Sequence, residues 1–331
     1  MILVTGATGH IGNVLVRQLI ERGETVRALV LPGEDITPLQ GAPLEIVEGD
    51  VLDPASLRHA MQGISFVYHL AGIISIMPGR NEIVHRVNVE GTRNVLRSAA
   101  QTGIGRLVYT SSIHALHRAP HGVTIDEQIP FDPQHAISAY DRSKAEASLL
   151  VQDAACLGLD AVIACPTGVI GPYDYRGSEM GEIIHLAMKR GLHFLIDGAY
   201  DFVDVRDVAQ GLILAASHGR AGEAYILSGE RISIAGIFEL VQKATGLHNF
   251  RLQVPFPLVQ LAAVFAPLYY RLAHTRPALT PYSLATVTSN SVISNAKARR
   301  ELGYAPRLLS ESILDTVAWL AEYRRKEPAL R

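Results

Sequence analysis

The chain has 331 residues, 48% hydrophobic and 19% charged, with a formal net charge of −2. That is the balance of a globular protein with a sizeable core in one large domain or two lobes, not of a disordered chain. A near-neutral charge excludes a broad basic surface, so nucleic acid is not an expected partner.

Ile2 to Thr5 reads as a buried strand, and Met1 leads almost directly into it. A secretory leader needs a basic start and a longer apolar run, so a cytoplasmic location is expected. A helix from about His10 to Arg22 puts Ile11, Val14, Leu15 and Leu19 on one face, and Gly23 ends it. Strands follow at Thr25 to Leu31, Leu44 to Val47 and Ser65 to Leu70, with a short helix near Pro54 to Met61. A long helix is expected from Glu82 to Ala100, a fifth strand at Arg106 to Ser111, a long helix at Ala139 to Leu157 and a sixth strand at Ala161 to Cys165. Cys156 and Cys165 both sit among apolar residues and are expected to be buried free thiols, which fits a reducing compartment.

Alternating strands and helices imply an α/β fold, a doubly wound parallel sheet with helices on both faces. Its ligand crevice lies at the carboxyl ends of the strands. Leu70, Ala71 and Gly72, Ser111 and Ser112, and Pro166, Thr167 and Val169 therefore gather around the same crevice as the loop after the first strand. Beyond Pro166 the chain is turn-rich, with a helix near Glu179 to Lys189 and another helix beginning in Phe202 to Gln210. Pro255 to Arg271 is apolar but too short and proline-interrupted for a membrane span of about 20 residues. It is expected to be a buried lid or an interface. The division is residues 1–166 as a dinucleotide-binding domain and 167–331 mainly as a smaller substrate lobe, with 201–224 returning to the first core.

Thr5-Gly6-Ala7-Thr8-Gly9-His10-Ile11-Gly12 is a G-x-x-G-x-x-G turn between the first strand and the first helix. A tight turn needs positive φ, a pyrophosphate needs close backbone approach, and helix–strand packing needs a missing side chain. The free N–H groups of the helix start then face the phosphates. Gly6, Thr8, Gly9, His10, Ile11 and Gly12 are candidate dinucleotide contacts on this ground. Asp50 and Val51 could bracket an adenine, though Asp50 could equally be a turn or cap residue. An acid closing the second strand suits NAD, and a nearby arginine suits NADP. That place is Leu31, with Glu34 and Asp35 just beyond, and the absence of an arginine from the loop leans toward NAD.

Tyr140 and Lys144 are four apart, one turn apart on one helix face. A free phenol ionises near pH 10, too high for a base at neutral pH. A neighbouring ammonium favours the phenolate, so Tyr140 could exchange a proton with a carbonyl or alcohol oxygen. A serine of Ser111-Ser112 could hydrogen-bond the same oxygen. His114, His117 and His121 have no carboxylate or cysteine at matching spacing, so no metal site is expected.

The sequence resembles the extended short-chain dehydrogenase/reductase family. The matching residues are Val4 to Gly12, Gly49-Asp50-Val51, His69 to Gly72, Asn88 to Thr92, Tyr109 to Ser112, Tyr140 with Lys144, Pro166 to Pro172 and Asp204 to Ala209. The resemblance implies a Rossmann domain, a C-terminal substrate lobe and a Ser112/Tyr140/Lys144 triad, with Asn88 supporting the geometry. It also implies a homodimer through the helices at 82–100 and 139–157. Within the family the chain looks like the 3β-hydroxysteroid dehydrogenase/dihydroflavonol reductase group. That group implies an apolar small-molecule alcohol or ketone, with pocket walls at Ile73, Ile74, Ile76, Met77, His114, Tyr173, Met180 and Ile183. Two alternatives stand beside it. A nucleotide-sugar epimerase would need cations such as Arg176, Lys189, Arg190, Arg206 and Arg231, and a cofactor-sensing protein would need no turnover.

Overall fold

The computed structural model describes residues 1–75, 81–273 and 280–326. The chain opens with β1 (Ile2–Thr5), α1 (His10–Glu21), β2 (Val26–Val30), β3 (Glu45–Glu48), α2 (Pro54–Ala60) and β4 (Phe66–His69). Next come α3 (Asn81–His85), one π-helical turn (Arg86–Glu90), α4 (Gly91–Thr102), β5 (Arg106–Thr110), α5 (Ala139–Cys156) and β6 (Ala161–Pro166). The rest comprises β7 (Gly168–Ile170), α6 (Glu179–Ala187), β8 (Leu192–Leu195), β9 (Ala199–Asp204), α7 (Val205–His218), β10 (Ala224–Leu227), β11 (Glu230–Ser233), α8 (Ile234–Thr245), β12 (Phe250–Gln253), α9 (Phe256–Ala273), α10 (Pro281–Val287), α11 (Ala296–Leu302) and α12 (Leu309–Lys326).

Seven strands form one parallel sheet in the order β10-β6-β5-β4-β1-β2-β3. The winding reverses between β1 and β4, which opens the ligand crevice at their carboxyl ends. Apolar runs such as Ile2 to Val4 and Leu107 to Tyr109 are buried because layers cover both faces. Leu3 and Leu107 join a core with Leu57, Val95, Val151 and Ile163. Their neighbours Val4 and Val108 point the other way, into a core with Leu15, Leu19, Val208 and Leu212. This period-two alternation locks the strands between the α2/α4/α5 layer and the α1/α7 layer.

Two smaller sheets complete the chain. β7 runs parallel to β9 and β11 antiparallel to it, and β8 pairs in parallel with β12. β10 pairs with β6, and α7 packs on α1.

Several expectations are corrected. Phe202 to Asp204 is strand, not the start of a helix. Phe202 pairs with Glu230 and Gly168, and the helix begins only where the Asp204 carboxylate accepts the Arg206 N–H. The helix expected over 82–100 is divided by a π turn, whose wider winding places Asn88 inward. Cys156 is exposed at the end of α5, whereas Cys165 is buried; both are free. The apolar stretch after Pro255 is one helix. Pro257 falls in its first turn, where a missing N–H costs nothing. Val259 and Ala263 are buried against Leu284, but Leu258, Leu261 and Val264 on the opposite face are exposed, so the helix is not a buried lid. No helix among the described residues is long and apolar enough to cross a membrane.

Candidate active site

The loop after β1 has the shape a pyrophosphate requires. Gly6 has φ +70°, and a Cβ there would stand 2.7 Å from the backbone of Leu70 and Ala71. A Cβ on Gly12 would stand 2.1 Å from the Gly6 carbonyl oxygen. Gly9 caps α1 without a side-chain hydrogen bond, which leaves the N–H groups of the helix start for a ligand. These features fit a dinucleotide.

Around that cradle the side chains are held from several directions. The His10 imidazole bonds the Pro172 carbonyl at 3.0 Å, and Ile11 packs into the core. The Thr8 hydroxyl donates to Glu34 at 2.6 Å. Glu34 also accepts the Leu31 N–H at 2.9 Å, so the acid just beyond β2 folds back to its end although Leu31 itself is exposed. Arg176 reaches across from the far half of the chain to bond both Thr8 and Glu34. Burial raises the Glu34 carboxyl, but bonds from Thr8, Leu31 and Arg176 outweigh it and leave the group below its ordinary value.

Asp50 accepts the Leu52 N–H, the turn role left open by its sequence. Val51 is buried, and its side chain fills the space beside Gly91. Thr167 turns its hydroxyl to Asp201 at 2.6 Å rather than leaving it for a ligand. Pro166 closes β6, while Leu70 and Val169 pack partly buried into the α1/α7 core.

A directional hydrogen-bond chain runs beneath the loop. Thr92 donates to the Asn88 carbonyl at 2.6 Å, so it must accept from His69 Nε2 at 3.0 Å. His69 Nδ1 then accepts from Thr5 Oγ1 at 2.8 Å, which in turn accepts the Ala71 N–H at 3.2 Å. Only a neutral imidazole fits, and burial lowers His69 to about 3. The unfolded chain takes up a proton near pH 6.5 that the native chain refuses. Stability should therefore fall with pH from about 6.5 to about 3, by up to roughly 1.4 kcal/mol per pH unit. Denaturant melts of His69→Gln between pH 4 and 6.5 should lose that part of the slope; an unchanged slope would reject the assignment.

Asn88 clamps the next loop. Its side chain bonds the Ile73 N–H at 2.7 Å, the Ile73 carbonyl at 3.0 Å and the Ser143 hydroxyl at 2.9 Å. Gly72 lies between Asn88 and Lys144: a Cβ there would stand 3.1 Å from Asn88 Oδ1 and 3.6 Å from Lys144 Nζ.

Ser112 and Ser111 part company. Ser112 Oγ accepts the His114 N–H at 3.2 Å and lies near enough to the Tyr140 phenol to favour its ionised form, whereas Ser111 turns to Ser148 at 2.6 Å inside the core. Burial pushes Tyr140 up to about 12 against the pull of Ser112. Lys144 does not lower it here, because Nζ is drawn to the Thr110 carbonyl at 2.7 Å and lies over the Tyr109 ring. Burial lowers Lys144 to about 8, so it is still charged at pH 7.

The substrate-side candidates divide. His114 stacks on Tyr200 with ring centroids 5.7 Å apart, and its Nε2 lies 3.2 Å from the Tyr200 hydroxyl. Tyr282 lies beside His114 and donates to Asp141 at 2.7 Å. Tyr200, Tyr282 and Asp141 were not singled out from sequence. Ile74 is 72% exposed, and Met180 and Ile183 pack partly buried against the core. Tyr173 is engaged elsewhere: its ring lies under Arg17 and near Trp319, and its carbonyl holds Asn13. Met77 and Ile76 lie outside the described residues.

The sequence profile of the NAD dependent epimerase/dehydratase family matches residues 2–231. The chain belongs to that family. It is an NAD(P)-dependent oxidoreductase of the extended short-chain dehydrogenase/reductase type. It is 36% identical to the sterol demethylase protein B of Methylococcus capsulatus, over 97% of this chain and 98% of that protein. It is 30% identical to a 3 beta-hydroxysteroid dehydrogenase/Delta 5→4-isomerase of Mycobacterium tuberculosis, over 95% and 88%. The crystal structure of gox2253 matches with a TM-score of 0.83 at 31% identity, covering 98% of this chain and 99% of that one. These likenesses establish the oxidoreductase class and the fold.

Proposed function

We propose that this family member interconverts a secondary alcohol and a ketone on a mostly apolar, hydroxysteroid- or dihydroflavonol-like substrate. The observation that carries the reading is the buried Tyr140 phenol, close to Ser112 and in the company of Tyr200, Tyr282 and His114. Those neighbours are aromatic, a surface suited to an apolar ring system. A nucleotide sugar would instead need cations for its diphosphate. Three candidates for that role are engaged: Arg176 with Glu34, Arg206 with Asp204 and Asp315, and Arg231 with Ser291. The sterol and hydroxysteroid names of the two relatives support the same reading.

When bound, the nicotinamide ring supplies or accepts the hydride. In the reducing direction Tyr140 donates its phenolic proton to the substrate carbonyl oxygen, and Ser112 donates a hydrogen bond to the same oxygen as charge develops there. To offset the phenolate left behind, Lys144 has to turn its Nζ from the Thr110 carbonyl toward Tyr140 when the dinucleotide binds. Asn88 keeps the α5 face and the loop at Ile73 in register. In this reading residues 1–166 hold the dinucleotide, residues 167–331 supply most of the substrate wall, and the chain pairs as a homodimer through α3/α4 and α5. The test is NAD(P)H turnover across apolar secondary alcohols and a nucleotide-sugar panel. Turnover confined to the sugars would overturn the reading.

NAD is the favoured cofactor, because the Glu34 carboxylate stands at the end of β2, where it can accept from ribose hydroxyls, and it holds Arg176 in an ion pair instead of leaving that guanidinium for a 2′-phosphate. Glu34→Gln should raise the NADP-to-NAD ratio of kcat/KM by about tenfold, since removing one charge repulsion is worth on the order of 1.4 kcal/mol. An unchanged ratio would show that Glu34 does not read the ribose.

A further inference from the structure

We propose that His117, Asp132 and His135 form a binding site for a borderline divalent transition-metal ion, with zinc the best match. The three ligand atoms lie within 4.8 Å of one another. His117 Nδ1 is 2.6 Å and His135 Nδ1 2.7 Å from the same oxygen, Asp132 Oδ2. Two imidazole nitrogens and a carboxylate oxygen are a donor set for zinc, copper or nickel rather than for magnesium or calcium, which take oxygen ligands.

The site is held by its backbone rather than assembled by chance rotamers. Leu116 pairs with Phe131 across an antiparallel bridge, which brings His117 beside Asp132. The His117 N–H bonds the Pro130 carbonyl at 2.8 Å, and the Asp132 N–H bonds the Ala115 carbonyl at 3.0 Å. Asp132 Oδ1 accepts the N–H groups of Gln134 and His135, which aims Oδ2 at the two rings and supplies the outer-shell support that metal ligands commonly have. Both hydrogen bonds to one oxygen require a proton on each Nδ1. A divalent ion would take the place of those protons, each ring then binding through an unprotonated Nδ1.

Zinc ligands about 2.1 Å from the metal in a tetrahedron lie roughly 3.4 Å apart. The rings need to swing back by less than about 1 Å to reach that spacing. Side-chain exposures of 47% for His117 and 70% for His135 leave room for the swing and for water to complete the shell. The metal would fasten the segment that leaves β5 just beyond Ser112 to the approach to Tyr140. It would do so from outside the proton-transfer cluster, since His114, three residues earlier, is engaged with Tyr200.

The test uses the full, tag-free chain without added cofactor, so it stands or falls separately from the redox reading. Zinc chloride titrated by calorimetry should show one site per chain. Magnesium chloride should give no such binding. His117→Gln and His135→Gln should each weaken zinc at least tenfold, and melting curves would show that these exposed substitutions leave the fold intact. Asp132→Asn, which keeps an oxygen for the two backbone N–H groups, should also weaken it. Absence of zinc uptake at micromolar concentrations, or equal uptake by the His117→Gln/His135→Gln double variant, would overturn the proposal.

Discussion

Tyr140→Phe is expected to lower kcat/KM by roughly 10²- to 10⁴-fold, the contribution of a positioned general acid or base. The phenol is the proton-carrying group beside Ser112 in the buried cluster, and removing one oxygen leaves the ring and its packing in place. Ser112 keeps its bond from the His114 N–H, so the change should not propagate through the loop. Dinucleotide affinity, read by quenching of the fluorescence of Trp319 or of the bound reduced cofactor, should stay within about threefold because the glycine cradle is untouched. The deficit should therefore sit in kcat rather than in cofactor binding. Retention of more than a tenth of wild-type kcat/KM, with the same products, would remove Tyr140 from the chemistry.

Gly12→Ala should be the most damaging conservative change in the cofactor cradle. The added methyl would meet the Gly6 carbonyl oxygen at 2.1 Å and the Ala7 Cα at 2.9 Å, and backbone cannot swing aside as a side-chain tip can. Relief requires α1 to withdraw from the loop. Overpacking of this kind costs about 1–3 kcal/mol of stability. The same withdrawal carries the helix N-terminus away from the phosphates, so NAD(H) affinity should fall at least tenfold, the equivalent of about 1.4 kcal/mol. Gly9→Ala is the internal comparison, since its methyl would stand 3.3 Å from the same oxygen and needs only a small adjustment. Denaturant melts and NAD(H) titrations of both variants provide the check. Equal stability for the two would mean that α1 does not depend on this close approach.

Much of the candidate site depends on contacts that no local pattern announces. Arg176 bonds Thr8 across 168 positions, and Tyr282 bonds Asp141 across 141. The His69 chain was hidden because His69 reads as an ordinary strand end until Thr5 and Thr92 are placed on either side of it. The His117–Asp132–His135 cluster was hidden for the same reason: His117 was weighed only with His114 and His121, and the bridge between Leu116 and Phe131 brings Asp132 to it from 15 residues away. Tyr173 was expected among the walls of an apolar substrate pocket, yet its ring lies against Arg17 and Trp319.

What the amino-acid order determined by itself was whatever depends on short-range repetition. Apolar runs at Ile2 to Val4 and Leu107 to Tyr109 mark strands buried on both faces, glycines at 6, 9 and 12 mark a turn too tight for side chains, and a spacing of four puts Tyr140 and Lys144 on one helix face. Tertiary structure alone decided the protonation of Tyr140 and Lys144, the split between Ser111 and Ser112, the inward turn of Asn88 in a π segment, and which face of α9 meets solvent. The physical reason is that periodicity in a sequence reports which side of an element is covered. Desolvation and hydrogen bonding depend on which distant group does the covering, and that is settled only when the layers close.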